Sequence, residues 1–218
     1  FTCLATTMVE VKALPAMCEF VSLRAEAEMF EGLPLITLQG SPLYGWNLVI
    51  KRVLDVVGAS AALVVFSPVL CAIAALVKLT SPGPVFFRQL RMGLDGQAFE
   101  MLKFRSMKLD AESETGPVWT QPNDDRRTPI GAFLRRTSLD ELPQFWNVLR
   151  GEMSIVGPRP ERPEFIARFR ETLPQYMLRH KMKAGITGWA QINGWRGNTS
   201  LERRIEHEVD LARRERSQ

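Results

Sequence analysis

The run "KRVLDVVGASAALVVFSPVLCAIAALVK" at residues 51–78 is a long apolar stretch with a proline near its middle. No charged residue lies between Val56 and Val77. As an α-helix this stretch would be about 33 Å long at roughly 1.5 Å per residue, which is enough to cross the hydrocarbon core of a bilayer. We therefore expect a membrane segment. A buried core helix is the alternative, although so long an uncharged run is rare in a small domain.

The middle and the flanks of this run indicate a helix that enters the membrane without crossing it. Pro68 lacks a backbone donor and clashes with the preceding turn, which bends a helix. Ser67 or neighbouring backbone could satisfy the carbonyls freed at the bend. Basic residues lie on both sides of the run: Lys51, Arg52, Lys78, Arg88 and Arg91. The positive-inside rule assigns both ends to the cytoplasm. The sequence thus predicts a re-entrant helix region over residues 46–84, with a straight, mildly kinked span as the alternative.

The composition and net charge of the chain indicate which ligands and surfaces it could bind and which side chains could perform chemistry. The chain has 218 residues, 45% of them hydrophobic, and a formal net charge of +4. This charge suits phosphates or an anionic membrane surface, although it is also common in soluble proteins. Cys3, Cys18 and Cys71 show no metal-binding spacing, and His180 and His207 lie in charged surroundings typical of solvated helices. We expect carboxylates to perform any acid–base chemistry, and we expect no nucleic-acid partner.

The order of the predicted elements indicates an α+β fold. Residues 1–45 show weak periodicity and are interpreted as the remnant of a preceding domain and a linker, and a chain that starts with Phe1 is expected to be a fragment. Residues 46–218 form the second domain. "VFFRQLRMGLDGQAFEMLKFRSM" predicts a β-hairpin around Asp95 and Gly96, and "PIGAFLRR" predicts a helix with proline in its first turn.

A later segment, "EFIARFRETLPQYMLRHKMK", places apolar residues at helical spacing and arginines on the other side. The apolar positions are Phe165, Ile166, Phe169 and Leu173. Such an amphipathic helix either rests on an anionic membrane surface or packs on the core of the protein. Together these elements predict a re-entrant membrane helix followed by a small helical domain with a β-hairpin and interfacial amphipathic helices.

Two adjacent acids, Asp140 and Glu141, stand in "RRTSLDELPQFWNVLRGEMSIVGPRPERPEF" at residues 135–165. Ser138 and Glu141 match a capping box, which would place both acids in a first helical turn. Pro143 favours a second arrangement, in which "SLDE" is a separate turn and the helix begins at Leu142. In both arrangements the acids lie at or just before a helix N-terminus, where negative charge is favoured. Ordinary capping residues would give the same pattern.

Cations on both sides of the acids favour a site for a phosphorylated substrate. Arginine guanidinium groups bind phosphate in a bidentate manner, and cationic residues occur both in this stretch and in the hairpin: Arg135, Arg136, Arg159, Lys103 and Arg105. Mg²⁺ takes one or two carboxylates together with substrate phosphates. A carboxylate can also attack phosphorus and form an acyl phosphate, which divides one transfer into two steps.

These motifs resemble the bacterial sugar transferases, the monotopic polyprenyl-phosphate phosphoglycosyl transferases. The resemblance covers about Lys51 to Glu208. It is carried in order by "KRVLD", "FSPVL", "GPVFFRQLRMG", "FEMLKFRSM", "RRTSLDELPQFWNVLRGEMSIVGPRP" and "AGITGWAQINGWRG". Where many relatives read "KPGITGWAQ", this chain has Ala184. Its charged ending "HEVDLARRERSQ" replaces an aromatic-containing stretch, so the catalytic domain is expected to be incomplete at its C-terminus.

The resemblance implies a reaction and a set of site residues. Asp140 would attack the β-phosphate of a UDP-sugar, with a hexose favoured, and expel UMP, and Glu141 would help to hold Mg²⁺. Polyprenyl phosphate in the membrane would then take up the sugar phosphate. The implied phosphate-binding residues are Lys103, Arg135, Arg159 and Arg196. Ser67 and Pro68 would break the re-entrant helix. The implied location is the cytoplasmic face of the bacterial inner membrane, and homodimerisation is left open.

Two other functions fit parts of the sequence. A glycosyltransferase that moves only the sugar could hold a metal at "NDD", Asn123–Asp125, although a polar loop of this kind is usually just solvated. A membrane-docked scaffold could use the cationic residues to bind lipid headgroups, but Asp140 and Glu141 would repel anionic lipid.

Overall fold

The computed structural model shows an α+β fold of helices and small sheets. It describes residues 12–13, 26–30, 33–37, 45–109, 111, 126–166, 174–195, 199, 203, 205, 207 and 208. The helices are α1 (Gly45–Val65), α2 (Ser67–Thr80), α3 (Pro129–Thr137), α4 (Gln144–Arg150) and α5 (Trp189–Ile192). The strands are β1 (Lys12–Ala13), β2 (Glu26–Phe30), β3 (Leu33–Thr37), β4 (Phe86–Met92), β5 (Ala98–Phe104), β6 (Ser154–Val156) and β7 (Gly185–Thr187).

The chain divides into two compact units. Unit A consists of Ile50–Arg91 and Ala98–Ile155. Unit B consists of Phe1–Val49, Met92–Gln97 and Val156–Gln218. Unit A therefore contains nearly all of α1, together with α2, α3, α4 and the paired strands β4 and β5.

The long apolar run folds as two helices, as the Ser67–Pro68 pair predicts. Helices α1 and α2 meet at Phe66 with a bend of 61°. Pro68 has no N–H to offer the carbonyl of Val64 four residues earlier, and the Ser67 hydroxyl donates to that carbonyl at 2.7 Å instead. The predicted helix break and the predicted role of Ser67 are both confirmed. The break is stabilised because the Ser67 hydroxyl pairs the Val64 carbonyl in place of the N–H that Pro68 lacks.

The surface of the bent pair is largely apolar. Large hydrophobic side chains are exposed along α1 and α2: Leu48, Val49, Ile50, Val53, Leu54, Val57, Val64, Val65, Val69, Leu76 and Leu79. Among the described residues no single helix has the length and hydropathy to span a bilayer, whereas α1 and α2 taken together do.

The core of unit A joins α2, β5 and α3. Ile73 and Val77 of α2 pack with Phe104 of β5 and Leu134 of α3, and all four side chains are at most 5% exposed. Helix α3 begins as predicted, since Pro129 occupies its first turn and the Thr128 hydroxyl accepts from the N–H of Gly131 at 3.0 Å. This core fixes α3, which directly precedes the acidic pair in the chain, and β5, which packs beside the turn that holds the pair.

The hairpin of β4 and β5 follows the predicted turn. Asp95 and Gly96 both have positive φ, 51° and 73°, a conformation that Asp and Gly adopt more readily than other residues. Beyond the strand ends, the N–H of Arg105 donates to the carbonyl of Val85 at 2.9 Å. The predicted hairpin is confirmed.

Unit B contains an antiparallel sheet and a buried ion cluster. The sheet has the order β1–β3–β2 in a segment where the sequence showed only weak periodicity. Arg179 is 2% exposed, and its guanidinium lies 2.9 Å from Glu208 and 3.9 Å from Glu161. Residues 163–166 begin the predicted amphipathic helix, and Ile166 is buried. Phe169 and Leu173 lie outside the described residues.

Candidate active site

The two acids occupy a separate turn between two helices. Ser138 ends α3 in the left-handed conformation, with φ of 58°, and Leu139–Glu141 form one turn of 3₁₀ helix. The Ser138 side chain makes no capping hydrogen bond, so the capping-box prediction is wrong. The reason is that Ser138 has the conformation of a helix C-cap, whereas an N-cap needs extended backbone. The second arrangement, with "SLDE" as its own turn, is confirmed, although α4 begins at Gln144.

Apolar neighbours anchor this turn in the core. Leu139 and Leu142 stand on either side of Asp140 and Glu141, and both pack against the core cluster of Ile73, Val77, Phe104 and Leu134. Both leucines are partly buried, and the apolar area that each removes from water stabilises the turn by about 25 cal/mol per Å². The carboxylates are consequently held on a fixed backbone, with Asp140 6% and Glu141 9% exposed.

Lys103 forms an ion pair with Glu141 inside unit A. The Nζ atom of Lys103 donates to Oε1 of Glu141 at 2.9 Å, and the two side chains are only 15% and 11% exposed. Lys103 is on β5, thirty-eight residues before Glu141, so the fold and not local sequence brings them together. A largely buried pair of this kind is weakly screened by solvent.

Asp140 interacts electrostatically with both members of the Lys103–Glu141 pair. Burial raises the pKa of Asp140 above its usual value of 3.8, and the nearby Glu141 charge acts in the same direction. Lys103 and Arg135 oppose the rise by stabilising the carboxylate. The site therefore combines a poorly solvated carboxylate with two cations that favour its ionised form.

The arginines before the turn have different surroundings. Arg135 and Arg136 are in the last turn of α3, where cations are favoured, and Arg135 is half-buried whereas Arg136 is exposed.

Arg105, expected to add a cation for phosphate, instead holds a loop. Its buried guanidinium donates to the carbonyls of Pro82 and Ser81 at 2.6 and 2.8 Å. The expectation for Arg105 is wrong, because its guanidinium is buried and its Nη1 and Nη2 groups donate to this loop.

Two predicted phosphate ligands are not part of unit A. Arg159 is in unit B and half-buried, and its carbonyl accepts from Nη2 of the buried Arg179 at 2.7 Å. That contact fixes the backbone of the proline-rich segment around Arg159. Arg196 lies outside the described residues, as does Asn123–Asp125. The roles of Lys103, Arg135, Arg159 and Arg196 at a phosphate remain predictions.

The donor set at the turn is compatible with Mg²⁺. Within the part of the chain that the structure describes, no group of three or more His, Cys, Asp and Glu side chains could hold a metal ion. Mg²⁺ does not need such a group, because it is commonly bound by one or two carboxylates together with substrate phosphates. The adjacent carboxylates of Asp140 and Glu141 meet that requirement.

An apolar groove of about 470 Å³ lies in unit A. The residues that line it come from both sides of the helix bend, from the hairpin and from the segment after the acids: Leu63, Leu70, Cys71, Ala74, Phe86, Arg88, Leu102, Phe104, Pro143 and Trp146. Arg88 is the charged residue among them. The groove thus connects the bent helix pair to the segment that directly follows Glu141.

A polar connection holds the start of the bent pair to the end of α4 and to β6. The buried carboxylate of Asp55 accepts from Lys51 Nζ at 2.6 Å, from Ser154 Oγ at 3.1 Å and from the N–H of Ile155 at 3.0 Å. Arg52 donates to the carbonyls at the end of α4. Sequence reasoning missed this connection. The spacing of Lys51 and Asp55, one helical turn apart, was its local signal.

Comparison with known proteins identifies the family. The model of the bacterial sugar transferase family matches residues 46–216. The chain belongs to this family. It is 50% identical over 214 residues to the UDP-glucose:undecaprenyl-phosphate glucose-1-phosphate transferase of Escherichia coli strain K12, which covers 96% of this chain and 46% of that protein.

Other relatives carry related names. The UDP-N-acetylgalactosamine-undecaprenyl-phosphate N-acetylgalactosaminephosphotransferase of Aeromonas hydrophila is 39% identical over 206 residues, which is 94% of this chain and 48% of the relative. The exopolysaccharide production protein PSS of Rhizobium leguminosarum bv. phaseoli is 47% identical over 156 residues, which is 70% of this chain and 78% of the relative. The chain spans about half the length of the E. coli and A. hydrophila relatives.

Proposed function

We propose that this sugar transferase moves a hexose 1-phosphate from a UDP-sugar to a membrane polyprenyl phosphate and releases UMP. One observation carries the proposal: the buried Asp140 carboxylate lies in the field of the buried Lys103–Glu141 ion pair. The names of the relatives, which pair sugar phosphates with undecaprenyl phosphate, support the substrate class. The glucose-transferring relatives favour UDP-glucose as the donor.

The proposed reaction has two displacements at the β-phosphorus of the UDP-sugar. In the first, an Asp140 carboxylate oxygen forms a bond to phosphorus, and the bond to the bridging oxygen breaks, so that UMP leaves with the electron pair. In the second, a phosphate oxygen of the polyprenyl phosphate attacks the same phosphorus and returns the carboxylate. The product is a polyprenyl diphosphate sugar. No net proton is consumed by either step.

The cations would stabilise the charge that moves during these steps. Electrostatic stabilisation is commonly the largest catalytic contribution at a transferring phosphoryl group. Lys103 and Arg135 already stabilise the anionic form of Asp140, and we propose that they also contact the incoming phosphates. Glu141 would help to hold Mg²⁺, which when bound would neutralise charge on the diphosphate. Arg159 and Arg196 are proposed as further phosphate contacts.

We further propose that α1 and α2 enter the cytoplasmic leaflet of the bacterial inner membrane and return to the same side. The 61° bend and the exposed apolar side chains of both helices support this arrangement. The groove at the bend could then accept the first isoprene units of the acceptor, since its lining is apolar and includes Pro143, close in sequence to the acids. A water-soluble donor and a lipid acceptor would thereby meet at Asp140.

The products of a single assay test this function. Labelled UDP-glucose and undecaprenyl phosphate, incubated with the protein and Mg²⁺ in detergent, should give UMP and a labelled lipid. Release of UDP would favour an enzyme that moves only the sugar, and no turnover by a full-length homologue would favour a scaffold. Without lipid, wild-type protein should exchange labelled UMP into UDP-glucose and Asp140→Asn should not. The matched control is Asp95→Asn at the exposed hairpin turn, which should exchange normally.

Cys71 offers a direct test of the groove. Once Cys3 and Cys18 are replaced by serine, Cys71 is the remaining thiol, and it is exposed in the groove. Undecaprenyl phosphate should slow its alkylation by maleimide, whereas UDP-glucose should not. Equal rates with and without the lipid would contradict binding in this groove.

A further inference from the structure

Asn147 is a polar residue whose place in the structure is not explained by the proposed chemistry. It lies in α4 within the apolar stretch "FWNVL", and its side chain is fully buried, with 0% exposure. Burying an amide is unfavourable unless its donors and acceptor are all paired. Its partners should therefore show what the residue does.

The Asn147 side chain binds the backbone of β5 at two points. Its Oδ1 atom accepts from the N–H of Leu102 at 3.0 Å, and its Nδ2 atom donates to the carbonyl of Glu100 at 2.7 Å. Residues two apart in a strand direct their backbone groups to the same edge. Strand β5 pairs with β4 in a two-stranded sheet, so Asn147 pairs with backbone groups at the edge that β4 does not occupy.

A third contact fixes the orientation of the amide. Nδ2 also donates to Oε2 of Glu152 at 2.6 Å, and the other carboxylate oxygen of Glu152 lies 3.2 Å from Arg150. A flipped amide would place its oxygen against the Glu100 carbonyl and the Glu152 carboxylate, both of which are acceptors. Only one orientation satisfies all three partners.

The residue after Leu102 is Lys103, whose Nζ atom is 2.9 Å from Glu141. The helix that carries Asn147 begins three residues after Glu141. Asn147 thus connects the backbone of the strand that bears the cation to the helix that follows the acids. A shift of β5 along this edge would move Lys103 relative to both carboxylates.

We propose that Asn147 is a positioning residue that fixes β5 so that Lys103 stays paired with Glu141 beside Asp140. Its importance for turnover rests on the proposed function, whereas its effect on the ion pair does not. An error of about 1 Å in the position of a catalytic group can reduce a rate by about 10²-fold. Asn147→Ala should therefore lower the rate of UMP exchange by about that factor.

The first experiment measures the ion pair without any use of activity. Urea unfolding of Lys103→Met, Glu141→Gln and the double variant gives the coupling between the two side chains. We expect a coupling of about 30-fold in the unfolding equilibrium constant with Asn147 present, and less than about threefold in the Asn147→Ala background. An unchanged coupling would overturn the proposal. Asn147→Ser, which leaves room for a water at the strand edge, replaces Asn147→Ala if that variant does not fold.

The second experiment measures exchange activity and separates positioning from loss of stability. In the Lys103→Met background, Asn147→Ala should reduce the remaining rate by less than about threefold, because Lys103 is no longer there to be positioned. Val148→Ala, at a fully buried neighbour without a polar side chain, supplies a variant of reduced stability that should keep its rate per folded molecule. Equal losses from Asn147→Ala in both backgrounds would refute the proposal. If wild-type protein shows no exchange, the proposed function fails and the unfolding experiment decides this inference alone.

Discussion

Replacing Lys103 by methionine tests how strongly the acidic turn depends on its cation. Methionine keeps most of the apolar stem of lysine and removes only the charged end. Breaking a buried ion pair by removing one partner costs about 3–5 kcal/mol, whereas exposed pairs contribute about 0–1 kcal/mol. With side-chain exposures of 15% and 11%, the Lys103–Glu141 pair is closer to the buried case. We therefore expect Lys103→Met to lower the free energy of unfolding by about 3 kcal/mol.

A second substitution separates the pair from its surroundings. Once Glu141→Gln has removed the charge that Lys103 neutralises, Lys103→Met should cost only about 1 kcal/mol, which gives a coupling energy of about 2 kcal/mol. Urea unfolding at pH 7, followed by tryptophan fluorescence, measures all four free energies. The control is Arg88 and Glu100, which are 3.4 Å apart and 69% and 59% exposed, and whose coupling should be below about 0.5 kcal/mol. Equal couplings for the two pairs would refute the electrostatic description of the site.

Three further predictions concern Asp140, Asp55 and the helix bend. Burial raises the pKa of Asp140, so ionisation of this carboxyl destabilises the folded protein as the pH rises from 3.8 through the raised pKa. Asp140→Asn should therefore be more stable than wild type at pH 7, and it should not be more stable at pH 3. Thermal unfolding at both pH values checks this, and equal melting temperatures at pH 7 would contradict it. Asp55→Ala leaves Ser154 Oγ and the N–H of Ile155 without the carboxylate that accepts from them, and leaves Lys51 without its ion-pair partner but still bonded to Ser154. It should cost about 3 kcal/mol in urea unfolding, whereas a loss below about 1 kcal/mol would show that the connection is weak. Cysteines placed at positions 48 and 84 should both react with an impermeant maleimide from the same side of a vesicle, and opposite sides would mean that the bent pair crosses the bilayer.

Local chemistry explains which parts of the fold could be predicted from the sequence. The helix break follows from the missing N–H of Pro68, the hairpin from the positive φ angles that Asp95 and Gly96 accept, and the start of α3 from Pro129. Each depends on a few neighbouring residues. The separate turn at the acids was only one of two open arrangements, because Ser138 and Glu141 match a capping box whereas Pro143 favours a later helix start.

Contacts between distant residues explain what the sequence did not show. Arg105 was expected at a phosphate, but the loop at Ser81 surrounds its guanidinium. Asn147 lies forty-five residues from the backbone group of Leu102 that it binds, and a polar residue within an apolar stretch was its only local signal. Pairings of this kind depend on how β5 and α4 pack, which no short motif encodes.

The most direct test of the central claim is to locate the covalent intermediate. The protein is incubated with UDP-glucose and Mg²⁺ without lipid acceptor, quenched in acid and digested, and the peptides are analysed by mass spectrometry. The proposal predicts a glucose phosphate on Asp140, in the tryptic peptide of residues 137–150, that disappears when undecaprenyl phosphate is added before the quench. An adduct on another residue, or none in protein that is turning over, would contradict it.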